Sequence, residues 1–414
     1  MASIPTDRIP DSTLPFLRDP YRFIGKRAAA LDSDVISTRL LGQRTICMYG
    51  QEAGQLFYDT ARMQRAGAMP RRVIRTLLGQ GGVQGFDGEA HRVRKALFLE
   101  LATGEGLQRL IAIAERHWHE HVHAWQASGS VRLYPAVADI LASSAFEWVG
   151  LPLTPDVAPD RIRDVVALFD GAGAVGPRHW KARRARRHSE RWLGDVIGRI
   201  RSGAVAVDYG APVARIARHL DADGELLPSR TAAVEVLNLV RPVTAVAVYV
   251  SFVAHALHTH TAARDAAAGD DRAVDCLVDE VRRFYPFFPA VAARTCEAFS
   301  WKGLDFPAGV RVMYDLYGTS HDPRLWHRPD VFDPLRFETA YDPCHGLVPQ
   351  GGGGHADGHR CPGEWITRAL MAQAARMLHT ALAWRVIGDA AIDFARVPAL
   401  PAEGMLIEGV RLRG

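Results

Sequence analysis

The chain has 414 residues, of which 48% are hydrophobic and 23% charged, with a formal net charge of +4. This is ample material for one large core or two ordinary ones, and the balance excludes a disordered chain or one built around nucleic-acid binding. Residues 1–20 carry Pro5, Pro10, Pro15 and Pro20 with several charges and lack the apolar core of a signal peptide. The most apolar stretch, 242–256, is shorter than a membrane-spanning helix. The expectation is a cytoplasmic protein with no membrane span and no nucleic-acid partner.

In chain order, residues 35–49 are strand-like, and the alternating run 44–49 reads as part of a hairpin. A helix begins after Asp87-Gly88. Residues 107–126 repeat apolar side chains at helical spacing and stop near Gly129. Further helices fall at 160–169, 180–200 and 211–220. The longest runs from 229 to about 260, with Ser229 available as N-cap. It is apolar nearly all round over 232–256 and should cross the interior. Residues 271–285 form another helix, stopped by Pro286 and Pro289. Strand-like pieces at Phe299–Trp301 and 310–314 precede a loop rich in Pro, Asp and Gly, a helix over 363–382 and short strands from Trp384. No repeat or linker divides the chain. The reading is a single domain over 1–414, mainly α with a minor β portion at both ends.

Five cysteines, Cys47, Cys276, Cys296, Cys344 and Cys361, are odd in number and scattered, which suggests neither a disulfide framework nor a zinc site. Cys361 stands apart by its surroundings. Residues 350–364 read Gln-Gly-Gly-Gly-Gly-His-Ala-Asp-Gly-His-Arg-Cys-Pro-Gly-Glu. The glycines let backbone approach a flat ligand and present free N–H groups. A cysteine just before a helix and beside Arg360 should have a lowered pKa, as an iron-ligating thiolate requires. A buried structural cysteine in a glycine-rich turn satisfies the same pattern.

The loop resembles the heme-binding signature of the cytochrome P450 family, with Gly363 at the family's glycine two residues after the cysteine. Gly354, Asp357 and His359 stand where the general signature has Phe, Gly and Arg. These departures fit the fatty-acid peroxygenase branch, whose loop resembles Gln-Gly-Gly-Gly…Gly-His-Arg-Cys-Pro-Gly-Glu, and the likeness extends over most of the chain. The resemblance implies the P450 fold, with heme b between the long central helix and the Cys-loop helix and iron held by the Cys361 thiolate. It also implies that Glu280-x-x-Arg283 is a fold-stabilising ion pair. Glu89–Arg92 and Glu408–Arg411 share the spacing, but only Glu280–Arg283 lies in the helix preceding the loop. His91 and Lys95, four apart on one helix face, are assigned by the resemblance to the heme propionates, with Arg65 and His359. An ordinary solvated basic face would look the same.

Arg241 interrupts the apolar central run in Leu239-Val240-Arg241-Pro242-Val243. A buried unpaired guanidinium costs several kcal/mol and needs an anion. Glu235, six residues earlier, is poorly placed by the 3.6-residue period. Pro242 deprives the Asn238 carbonyl of its helical partner, so the helix should kink or open there. Most cytochromes of the family carry an acid and a Thr here, whereas Arg-Pro resembles the peroxygenase branch, in which Arg binds the substrate carboxylate. The implied activity is hydrogen-peroxide-dependent hydroxylation of long-chain fatty acids at Cα or Cβ, with Arg241, Pro242 and Gln84 at the reacting end and no redox partner. Gln84 aligns with a branch position held by Gln or His, and its non-ionisable amide favours hydroxylation over decarboxylation to alkenes. Leu77, Leu78, Phe169 and Phe287 match apolar pocket positions, though plain core packing explains them equally. The basic run from Lys181 to His188 reads as a solvated helix face that attracts anionic substrate. Decarboxylation, a reductase-dependent monooxygenase and a non-catalytic heme sensor are the alternatives.

Overall fold

A computed structural model describes residues 3–413. Its organising element is the central helix, Ser229–Thr259, 31 residues long. Every residue from 232 to 254 is buried except the half-buried Pro242. The helix is longer than the apolar stretch visible in the sequence, and by length and composition alone it is able to cross a membrane. However, 94% of its most apolar window lies inside the protein, so it is a core helix. Around it pack Leu133–Trp148, Ala158–Asp170, Pro177–Arg201 and the Cys-loop helix Glu364–Arg376. Each fully buried Val, Leu or Phe contributes about 1.5–3 kcal/mol, so the apolar flanks of this helix offset the several kcal/mol that burying one charged side chain costs.

Two expectations about this helix change. Ser229 is its first residue, not its cap, and its hydroxyl accepts a hydrogen bond from Arg201 Nη1 at 3.2 Å. The helix also stays helical through Pro242 without opening. The surrounding helices hold it from all sides, and that packing overrides the local preference.

The expected helices appear at Gly88–Ala102, Gly104–Ser128, Ala158–Asp170, Pro177–Arg201 and Asp271–Phe284, while that at 211–220 shortens to Pro212–Ala217. Leu133–Trp148 has no counterpart in the sequence reading. It packs against both the central helix and Gly104–Ser128, is buried on most sides, and so lacks the polar stripe that marks a surface helix. The helix after the cysteine is α-helical over Glu364–Arg376 and continues as a π-turn over Met377–Ala381.

The β portion is less terminal than expected. A five-stranded sheet runs in the order Val35–Leu40, Gln43–Met48, Arg311–Asp315, Ala290–Thr295, Met63–Gln64. The first two strands form the expected antiparallel hairpin, and the second pairs in parallel with Arg311–Asp315. A three-stranded sheet joins Ser130–Arg132, Leu406–Leu412 and Leu382–Val386. All five cysteines are free thiols.

At the end of strand Arg311–Asp315, Asp315 caps the next helical turn, accepting from the Gly318 N–H at 2.7 Å. Its burial pushes the carboxyl up to about 7. The folded state therefore holds a proton that the unfolded chain releases near pH 4. That contribution to stability is complete below pH 4 and is lost as pH rises through 7. Asp315→Asn should flatten this dependence, so that the melting temperatures of variant and wild type diverge in the variant's favour between pH 5 and pH 8.

Candidate active site

Cys361 lies half-buried between the glycine loop and the Cys-loop helix. The glycines serve a tighter purpose than the sequence suggested. A Cβ on Gly352 would stand 2.2 Å from the Cys344 carbonyl oxygen, and one on Gly353, which has φ +76°, would stand 2.9 Å from Tyr58 Cβ. The Gly353 and Gly358 N–H groups are not free. They donate to the Cys344 and Gly354 carbonyls at 2.8 and 3.2 Å. The loop is thus folded on itself and against Tyr58.

Beneath it lies a buried ionic knot. Glu364 accepts from Arg282 at 2.5 Å and from Arg360 at 2.6 and 2.9 Å. Arg282 also binds Asp279 at 2.7 Å and Gln350 at 3.2 Å, and Gln350 donates to Thr367 at 2.9 Å. Both ends of the loop are therefore fixed to helix Asp271–Phe284. Burial raises the Glu364 carboxyl, but the two guanidinium groups outweigh it and hold the pKa at about 2. Arg360 turns its charge to Glu364 rather than to the thiol. The Cys361 thiol itself is pushed up, mainly by burial and partly by Glu364, against the lowering influence of the Gly363 N–H, Lys95 and Arg282. The protein alone does not make the thiolate that helix position and Arg360 were expected to give.

Glu280 and Arg283 form the expected pair, with contacts of 2.7 and 2.8 Å and no solvent exposure. Arg283 reaches onward to the carbonyls of Ser320 and Pro329, and Arg336 makes a second ion pair with Glu280 at 3.0 Å. The sequence reading missed Asp279, Arg282 and Arg336. The first two carry a visible signal, a second acid–Arg pair at the same spacing shifted by one residue.

The predicted propionate residues meet on one side of the loop. The His91 and His359 rings lie 4.1 Å apart, and His359 Nε2 sits 3.0 Å from Asp87 Oδ1. Asp87 also accepts from the Arg65 and Ala66 N–H groups at 2.9 Å. Burial, with the charges of His359 and Lys95, lowers His91 to about 4. The buried Arg65 Nη1 has no hydrogen-bond partner. The Lys95 ammonium donates to the carbonyls of Gly358 and, at 3.0 Å, Arg360, tying helix Gly88–Ala102 to the Cys loop.

Across the interior, Arg241 is buried with its Nε unpartnered, and its Nη2 donates to Asn238 Oδ1 at 3.2 Å. It has no acidic partner within ion-pair distance among the described residues. Glu235 is engaged by Arg94 at 3.2 Å and by Asn238 Nδ2 at 2.8 Å. Burial, with the charge of Arg186, drives Arg241 down to about 9, opposed by Cys361. Burial pushes the Tyr249 hydroxyl up, and that hydroxyl is also unpartnered. Gln84 Oε1 accepts from Asn238 Nδ2 at 3.3 Å, so Gln84, Asn238 and Arg241 form one chain. Asn238 was not anticipated as a site residue, although a buried Asn three residues before a buried Arg is a recognisable signal. Leu77, Phe169 and Phe287 lie in the main hydrophobic cluster, with Leu78 packed against it, and Phe287 stacks on Tyr249 at 4.2 Å.

The cytochrome P450 family profile matches residues 273–378, which span the ionic helix and the Cys loop. Over almost the whole chain, the fold matches a solved structure of cytochrome P450SP alpha (CYP152B1) in complex with (R)-ibuprophen. The match is 44% identical, covers 98% of this chain and 100% of that one, and has a TM-score of 0.95. The chain belongs to the cytochrome P450 family, in its fatty-acid peroxygenase branch. Cytochrome P450EX alpha (CYP152N1) with myristic acid matches at 36% identity over 100% of both chains, TM-score 0.96. Among curated relatives, cytochrome P450 81F4 of Arabidopsis thaliana is 28% identical over 134 residues, 31% of this chain and 26% of that protein. The chain thus spans about a quarter of the length of the first such relatives it matches.

The family's cofactor is heme with a thiolate-ligated iron, and this P450 has the residues for it. Cys361 would supply the sulfur. The unpartnered Arg65 Nη1, whose charge acts on His91 and His359, would suit the anionic propionates.

Glu364→Gln tests the knot. Leaving Arg282 and Arg360 short of an anion should cost about 3–5 kcal/mol of stability near neutral pH, read by denaturant unfolding. Because Glu364 titrates lower in the folded state, wild-type stability should fall as pH drops from about 4 through 2, and the variant should lose that component. A second test is Arg65→Met, which should weaken heme retention, measured by transfer to an excess of competing apoprotein.

Proposed function

We propose that this P450 uses hydrogen peroxide to hydroxylate long-chain fatty acids at Cα or Cβ, with the substrate carboxylate held by Arg241. The carrying observation is a buried guanidinium with a free Nε and no acidic partner among the described residues. The nearest acid on the same helix, Glu235, is already neutralised by Arg94. A carboxylate completes such a site because the planar fork of Arg can bind it bidentately. The myristic acid in the structure of cytochrome P450EX alpha supports this ligand class.

Heme ligated by Cys361 supplies O–O cleavage and oxygen transfer when bound. The rest falls to the chain and its substrate. Arg241 fixes the carboxylate, so the first carbons of the acyl chain are the ones brought to the reacting centre. Asn238 Oδ1 orients the guanidinium, leaving Nε free. No acid–Thr pair occupies this part of the helix, and the bound carboxylate acts as general acid–base, taking a proton from one peroxide oxygen and returning it to the other. Gln84 holds its amide against Asn238 and cannot exchange a proton near neutral pH, which favours hydroxylation over decarboxylation. The apolar side chains of Leu77, Leu78, Phe169 and Phe287 receive the tail, each buried methylene adding roughly 0.8 kcal/mol. Electron-delivering partners are unnecessary.

The test mixes purified heme-loaded protein with myristate and hydrogen peroxide without a reductase, and identifies products by mass spectrometry. The expected products are 2- and 3-hydroxymyristate. A terminal alkene one carbon shorter would point to decarboxylation, and turnover only with a reductase and reduced nicotinamide would sink the proposal. Arg241→Ala should lower kcat/KM about 10- to 100-fold, the scale of a lost charge-assisted hydrogen bond. Gln84→His should raise the alkene share.

A further inference from the structure

The basic run on helix Pro177–Arg201 is not uniformly a solvated face, because Arg186 is only 2% exposed. Its Nε donates to Glu190 at 2.6 Å. Its two terminal nitrogens donate to the main-chain carbonyls of Leu77 and Leu78 at 3.2 and 3.3 Å. These are the last carbonyls of the π-turn Ile74–Leu78, where a helix end leaves acceptors without partners. The chain then turns at Gly79, with φ +85°, and a Cβ there would stand 1.9 Å from Arg186 Nη2 and 2.6 Å from Val234 on the central helix. Three residues on, a Cβ at Gly82 would stand 2.9 Å from Asn238 Nδ2, the atom that also donates to Gln84 Oε1. Residues 77–84 therefore form a strap against the central helix at Val234 and Asn238. Arg186 grips one end of it, and Gln84 meets the Asn238–Arg241 chain at the other.

The two buried guanidinium groups divide the work. Arg186 is satisfied by Glu190 and two carbonyls, whereas Arg241 keeps a nitrogen free. We propose that Arg186 is a positioning residue that clamps the 77–84 strap over the Arg241 site, and thereby fixes where along an anionic acyl chain the reaction occurs. The proposal rests on the fatty-acid reading above. Lys cannot replace Arg here, because a single ammonium cannot span a carboxylate and two successive carbonyls with a planar fork.

The experiment compares heme-loaded wild type, Arg186→Lys and the paired Arg186→Gln/Glu190→Gln variant, which leaves no lone buried carboxylate. Amide hydrogen exchange over residues 74–84 is measured without substrate. Myristate affinity is taken from the heme spectrum, and the ratio of hydroxymyristate isomers from peroxide reactions. Exchange across the strap should speed up in both variants. The paired variant should lose about tenfold in kcat/KM, as a small misplacement far from the chemistry does. Arg186→Lys should keep near wild-type affinity yet spread hydroxylation to carbons further along the chain. Variants with wild-type exchange, affinity and isomer ratio would overturn the proposal. A wild type that neither binds nor oxidises myristate would overturn the fatty-acid reading instead, and the exchange result would still show whether Arg186 clamps the strap.

Discussion

Helix Asp271–Phe284 carries two interleaved acid–arginine pairs, and their charges hold the two faces of the site together. Asp279 and Arg282 face the Cys loop through Glu364, Gln350 and Arg360, while Glu280 and Arg283 face the opposite segment through Ser320, Pro329 and Arg336. Each charge is buried, so each depends on its partner being present, and removing one strands the other in a medium that solvates it poorly. The position of Cys361 follows from this. A cysteine in a glycine-rich loop has little rigidity of its own, and here both ends of the loop are bound to a helix that cannot shift without breaking several ion pairs at once.

Arg241 stands apart from that neutralised array. Arg282 and Arg360 share Glu364, Arg94 has Asp221 and Glu235, and Arg186 has Glu190. The central helix supports one unmatched cation because its many apolar neighbours stabilise the fold around it. A fold that spends stability at one buried position in this way leaves a positive charge there without an anionic partner among the described residues.

Much of this was legible in the sequence, for definite reasons. The central helix announced itself by being apolar all round, Cys361 by its loop, and Arg241 by standing where an apolar run tolerates no charge. Glu280–Arg283 was picked from three equal spacings by its place before the loop. The failures are equally physical. The bonds from Lys95 to loop carbonyls were not foreseen, since backbone oxygens of a distant loop leave no trace in a residue pattern. Arg186 was hidden inside a run of basic residues whose other members are mostly exposed, and periodicity alone does not tell which arginine turns inward. Asn238 is marked in the sequence only by its backbone carbonyl, four residues before Pro242, while its side chain does the linking. Leu133–Trp148 escaped because a helix buried on most sides has no polar stripe to contrast with.

The bonds from Lys95 to the carbonyls of Gly358 and Arg360 have a consequence for assembly. They join the Cys loop to helix Gly88–Ala102, which also carries His91, using protein atoms only. With the Gln350 and Glu364 contacts, they set the loop's shape through the fold itself. The entropy of ordering these residues is then spent during folding and not at the moment of cofactor uptake. Less of the ordering cost is therefore left to the moment at which heme is taken up.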